Sequence, residues 1–121
     1  MEPVTFEGST ITVGGRSWDV PHPVHDARWI DGRIIVIYKY GLGQTRARTP
    51  WSTHDPHPFH NVEAFDDAGR KLWTAENPSR DNVDAYDEFM SEEPLILWNF
   101  ACCRCTIDPA TGKLLKAEWS K

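Results

Sequence analysis

The residues best equipped for chemistry lie in two short stretches. "HDPHPFH" spaces His54, His57 and His60 three apart, and "CCRC" gathers all three cysteines, Cys102, Cys103 and Cys105, within four residues. Imidazole and thiolate both bind zinc, and four such groups complete a tetrahedral site, so His54, His57, His60, Cys103 and Cys105 form a candidate metal set. The spacing matches no standard zinc pattern, however, and Pro56 and Pro58 predict an extended segment rather than a helical ligand face. A Cys nucleophile with a His base is the enzymatic use of the same residues. A reactive thiolate needs a helix N-terminus or a neighbouring cation, and on a strand Arg104 points away from Cys103 and Cys105. The preferred reading is a surface loop with titrating His and reduced thiols that behave as small hydrophobes, with no catalytic residue, no cofactor and no metal. A metal-binding or thiol-based protein built on the same residues is the alternative.

Two further patterns invite a ligand. "GLGQTR" lacks the third Gly of a dinucleotide fingerprint, and no helix pattern follows it. Arg46 and Arg48 beside Trp51 suggest stacking on a nucleic acid, but two Arg in an acidic protein read better as solvated charge. The acidic run is more suggestive. Asp81, Asp84, Asp87, Glu88, Glu92 and Glu93 occur with no Lys or Arg among them. Opposed charge patches raise encounter rates and suppress wrong partners, so this run is a candidate surface for a basic protein. Tyr86, and after it Trp51, are the expected aromatic anchors.

These groups must be carried by a small scaffold. A chain of 121 residues forms one domain, expected to span 1–121, and can bury about two-thirds of its unfolded surface without a metal or disulfide. Six Trp, three Tyr and five Phe supply much of that core. A net charge of −5 argues against nucleic acid or an anionic membrane as the partner. The opening "MEPVTFEGST" has no basic segment followed by an apolar run, and the runs "IIVIY" and "PLILWNFACC" are too short to cross a bilayer, so a cytoplasmic protein is expected.

Four turns share one wording: Gly15-Arg16, Gly32-Arg33, Gly69-Arg70 and Gly112-Lys113, each between segments of strand-forming residues. "NVEAFDDAGRKLWTAE" is thereby echoed in "RCTIDPATGKLLKAEW". Both read as β-hairpins with Gly at a φ > 0 position. "RIIVIYKY" and "PLILWNF" are apolar on both faces and predict strands covered on both sides. In "KLLKAEW", Leu115, Ala117 and Trp119 alternate with Lys116 and Glu118, which predicts a half-exposed strand. An N-terminal hairpin over about Thr10 to Val20 precedes two meanders. The first is Arg33–Tyr40, Asn61–Asp66 and Arg70–Glu76; the second is Leu95–Phe100, Cys102–Asp108 and Lys113–Trp119. Val83, Tyr86, Phe89 and Met90 match a helical face and predict one short helix.

These motifs, Asn-x-x-Ala-Phe-Asp, Gly-x-x-Leu-Trp and Ile-Asp-Pro-x-Thr-Gly-Lys, resemble those of small bacterial β-meander proteins of unknown function. The hairpins are also similar to single β-propeller blades, of which two are too few for closure. The resemblance implies an all-β antiparallel fold (a propeller-like fragment, open barrel or sandwich) and no enzymatic activity. Size, charge and the lack of a catalytic constellation lead to one expectation: a non-enzymatic binding protein of the immunity type, blocking a basic toxin or nuclease by occlusion.

Overall fold

Among the described residues, all the regular structure is strand. The computed structural model describes residues 4–38, 61–76, 86–99 and 103–119, and eleven strands there form three antiparallel sheets. The first holds β1 (Val4–Glu7), β2 (Thr10–Val13) and β3 (Arg16–Asp19). The second holds β4 (Val24–Ile30), β5 (Arg33–Tyr38), β6 (Val62–Phe65) and β7 (Lys71–Thr74). The third holds β8 (Tyr86–Glu92), β9 (Leu95–Asn99), β10 (Cys103–Ile107) and β11 (Leu114–Trp119). Each is an up-and-down meander, and none closes into a barrel.

The second sheet lies between the other two. Ile34, Val36 and Tyr38 of β5 share one core with Ile11 and Val13 of the first sheet. Ile35 and Ile37 point the other way, into a core with Tyr86, Leu95, Leu97, Cys105 and Ile107 of the third. The doubly apolar sequence of β5 thus has the covering on both faces that it predicts. β9 does not. Leu95, Leu97 and Asn99 are buried, whereas Ile96 and Trp98 are only half-buried, and among the described residues no layer lies over the outer face of the third sheet.

Bulges explain the other departures from simple alternation. β8 runs as a strand from Tyr86 where a helix was expected, and its register slips at Asp87 and again at Met90. The inserted Asp87 puts Tyr86 and Phe89 on the same face three positions apart, which imitates a helical period. Val83 lies outside the described residues. In β11 the pairing passes from Ile107↔Leu114 to Thr106↔Lys116, leaving Leu115 as the bulge. Leu115 therefore turns outward and is 63% exposed, while Leu114 and Ala117 pack on the core. This corrects the expected face of Leu115.

Register reveals a threefold repetition. Phe6–Ile11–Trp18, Ile35–Ala64–Trp73 and Ile96–Thr106–Lys116 are equivalent cross-strand rows in the three sheets. The tryptophan at the end of the first row covers the turn glycine of the second sheet, and the second row's tryptophan covers that of the third. A Cβ at Gly69 would lie 2.9 Å from the Trp18 ring, and one at Gly112 would lie 2.5 Å from the Trp73 ring. Both glycines have φ near +80° (84° and 77°), so they serve the turn and the close approach together. The Gly112 contact is reinforced: Trp73 Nε1 donates to the Pro109 carbonyl at 3.0 Å. Glu76 N–H donates to the Gly112 carbonyl at 3.0 Å, and the Glu76 carboxylate accepts from Leu114 N–H at 2.7 Å. In the third row Lys116 replaces the tryptophan.

Asn61 joins the second and third sheets from within. It is buried, and its side-chain amide donates to the carbonyls of Tyr38 (3.0 Å) and Tyr86 (2.8 Å). Its side-chain oxygen accepts from Tyr86 N–H at 2.9 Å. One amide thus bonds three buried backbone groups, two of them from the third sheet's first strand.

Candidate functional site

Side-chain contacts connect the first strands of the second and third sheets. β4 and β8 carry bulges at equivalent places, His25 and Asp87, and these two residues face each other with Nε2 3.6 Å from a carboxylate oxygen. Farther along, the Arg28 guanidinium contacts Glu92 at 3.0 Å and Asp26 at 3.4 Å, and stacks 4.9 Å over the Phe89 ring. β4 therefore supplies side-chain partners for part of the acidic run, with Arg28 as the cation.

That arrangement redraws the expected partner surface. Tyr86 is 0% exposed, and its hydroxyl donates to the Glu76 carbonyl, so it is a core residue and not a surface anchor. Asp87 and Glu92 are engaged by His25 and Arg28. Glu88 points from the outer face of the third sheet, and Glu93 lies exposed in the β8–β9 turn. Asp81, Asp84 and Trp51 lie outside the described residues. The acids the structure describes are thus divided between two places.

One of those places is a cleft. The β4–β5 turn, the β8–β9 turn and the end of the β10–β11 hairpin enclose about 300 Å³. Ile30, Pro94, Leu95, Ile107, Pro109 and the bulged Leu115 give it an apolar lining, and Asp31, Glu92 and Glu93 supply carboxylates. Asp31 adopts φ 52° to make its turn and binds Arg33 at 3.0 Å. Among the described residues no cation pairs with Glu93. Such a cleft can seat an apolar stem that ends in a positive charge.

A second polar cluster is better explained by packing. Glu63 accepts from the Tyr38 hydroxyl at 2.7 Å and the Thr74 hydroxyl at 3.2 Å, and pairs with Lys71 at 2.8 Å. Burial first, and the neighbouring Glu63 charge second, push the Tyr38 hydroxyl far above its ordinary pKa. It stays protonated and donates, which suits a structural bond rather than proton transfer.

Cys105 is buried in the core against the second sheet, as a small hydrophobe would be, and Cys103 is placed by its backbone on the same strand. His54, His57, His60 and Cys102 lie outside the described residues. Among the described residues no group of three or more His, Cys, Asp or Glu is placed to hold a metal ion. They also contain no helix long and apolar enough to cross a membrane.

Sequence reasoning missed the cleft because its walls come from three separate turns. Pro94, Pro109 and Leu115 read singly as turn and strand residues. Only the Leu115 bulge, which no alternation pattern signals, turns that leucine toward the opening.

Fold and site together define an all-β protein of three stacked antiparallel meanders with an apolar cleft between two of them. The chain belongs to the family described as Domain of unknown function (DUF7957), whose model matches residues 1–119. No curated protein and no solved structure matches it.

Proposed function

We propose that the chain is a non-enzymatic module that binds a basic protein at the cleft between the second and third sheets. Its most specific form is a cytoplasmic immunity-type protein that blocks a toxic partner by covering the partner's active site. One observation carries this reading: an apolar cleft of about 300 Å³ rimmed by Asp31, Glu92 and Glu93. That volume is at the small end for ligand cavities, which run about 300–1,000 Å³, and suits a side chain of a larger partner better than a whole metabolite. Buried anchors surrounded by a charged rim are how protein interfaces concentrate their energy. Arg28 and Arg33 offset part of the rim charge, so Glu93 is the expected determinant, with Leu115 as the apolar contact. The net charge of −5 adds long-range attraction for a basic partner.

The test is affinity capture from the source cell at low and high salt, with the wild type, Glu93→Lys and Leu115→Glu. The expected result is a stoichiometric basic protein that is lost at high salt and from both variants. A basic protein retained equally by all three, or none captured, refutes docking at the cleft. The immunity form adds a second expectation: the captured partner loses its activity when the wild type is bound. A partner that stays fully active in the complex refutes that form and leaves cleft binding standing.

A further inference from the structure

The outer face of the third sheet holds two cross-strand rows, Glu88–Trp98–Arg104–Glu118 and Ser91–Ile96–Thr106–Lys116. It is the counterpart of the face by which the second sheet receives the third. Ile96 and Trp98 stand where Ile35 and Ile37 stand in β5, while Arg104, Thr106 and Lys116 replace Val62, Ala64 and Trp73. A stacking face has therefore been kept apolar along its β9 column and made polar on either side.

We propose that this face binds a second copy of the same chain, third sheet against third sheet, about a twofold axis along β9. Such an axis lays β8 of one copy over β10 of the other and β9 over itself. Trp98 then meets Trp98 and Ile96 meets Ile96. Glu88 meets Arg104, and Ser91 meets Thr106. Each of the six residues that β8, β9 and β10 contribute to the two rows thereby finds a partner of matching chemistry. Within one copy Glu88 and Arg104 are two strands apart, about 10 Å. Among the described residues neither has an ion pair. Charge favours the same occupant: Glu88 and Glu118 balance Arg104 and Lys116, so two molecules of net charge −5 meet on a neutral patch. The face adjoins the proposed cleft only at Thr106, and its occupation does not depend on what the cleft binds.

Two such faces bury less than the roughly 1,200 Å² of a standard interface, so a weak, concentration-dependent dimer is expected. Sedimentation equilibrium of the wild type between about 10 μM and about 1 mM tests it, since association must rise with concentration. Glu88→Arg or Arg104→Glu alone should weaken association about tenfold, and the double exchange E88R/R104E should restore it, because each pair joins different copies. Trp98→Lys should abolish the dimer with an unchanged circular dichroism spectrum. A wild type that is monomeric throughout overturns the proposal without any variant, whether the face then takes a different protein or nothing. A double exchange no better than the single ones overturns it equally.

Discussion

Trp73 covers Gly112 so closely that a Cβ on the glycine would stand 2.5 Å from the indole, and the ring's N–H donates to the Pro109 carbonyl in the same turn. The last strand of one sheet is thereby fixed to the hairpin turn of the next. Trp18 stands over Gly69 in the same relation one sheet earlier.

Three glycine substitutions separate backbone strain from crowding. Gly15 has φ 80° with nothing within 4 Å of its Cβ position, so Gly15→Ala should cost only the left-handed backbone penalty, about 1 kcal/mol. Gly112→Ala adds a clash with Trp73 and should cost about 2–4 kcal/mol. Gly69→Ala, with a Cβ 2.9 Å from the Trp18 ring, should fall between them. Urea unfolding gives the order directly, and equal losses at all three would show that the indole contacts yield freely.

The two tryptophans should differ when the indole nitrogen is removed. Trp73→Phe loses a hydrogen bond worth about 1 kcal/mol as well as ring area. Trp18 Nε1 is buried with no hydrogen-bond partner among the described residues, so Trp18→Phe removes an unsatisfied donor and should be the milder change. Thermal or urea unfolding of the two variants tests this, and a larger loss at Trp18 would contradict it.

Asn61 should be among the costliest polar residues to replace. Asn61→Ala removes the buried side-chain partner of the Tyr86 N–H and of the Tyr38 and Tyr86 carbonyls, with an expected loss of about 2–4 kcal/mol. Asn61→Asp sets a carboxylate against two carbonyl oxygens and should be at least as damaging. Hydrogen exchange should show the loss spreading across the contact of the second and third sheets rather than staying local.

Acid should weaken the β6–β7 turn. The Asp66 carboxylate accepts backbone N–H groups of Arg70 and Ala68 and the Arg70 guanidinium, which hold its pKa below the ordinary carboxylate value. A lowered folded pKa stabilises the fold above the unfolded pKa of about 4, and the contribution is lost as pH falls through the folded value. The stability gap between wild type and Asp66→Asn should therefore be present at neutral pH and close in acid. A gap independent of pH would remove Asp66 from the account.

Much of this architecture is legible in the residues. The Gly-basic turns, the doubly apolar β5 and the echo of one hairpin in another follow from alternation and turn chemistry, which are local. What escaped is governed by register. The bulge at Asp87 gives β8 a helical-looking period, and the bulge at Leu115 reverses one leucine. The acidic run promised one continuous surface, yet His25 and Arg28, distant in sequence, engage Asp87 and Glu92. The cleft was hidden for the same reason, since no single segment contains it. The first sheet's place in the repetition was obscured because β3 reaches its tryptophan without the bulge that β7 uses.

Lys116 has a consequence for how such a chain could grow. An ammonium group keeps its water and will not settle on a glycine the way an indole does, so the third unit offers no successor the seat that its predecessors offered. A gene carrying a second copy of residues 24–76 ahead of position 86 would lengthen the molecule from its middle and leave both ends unchanged.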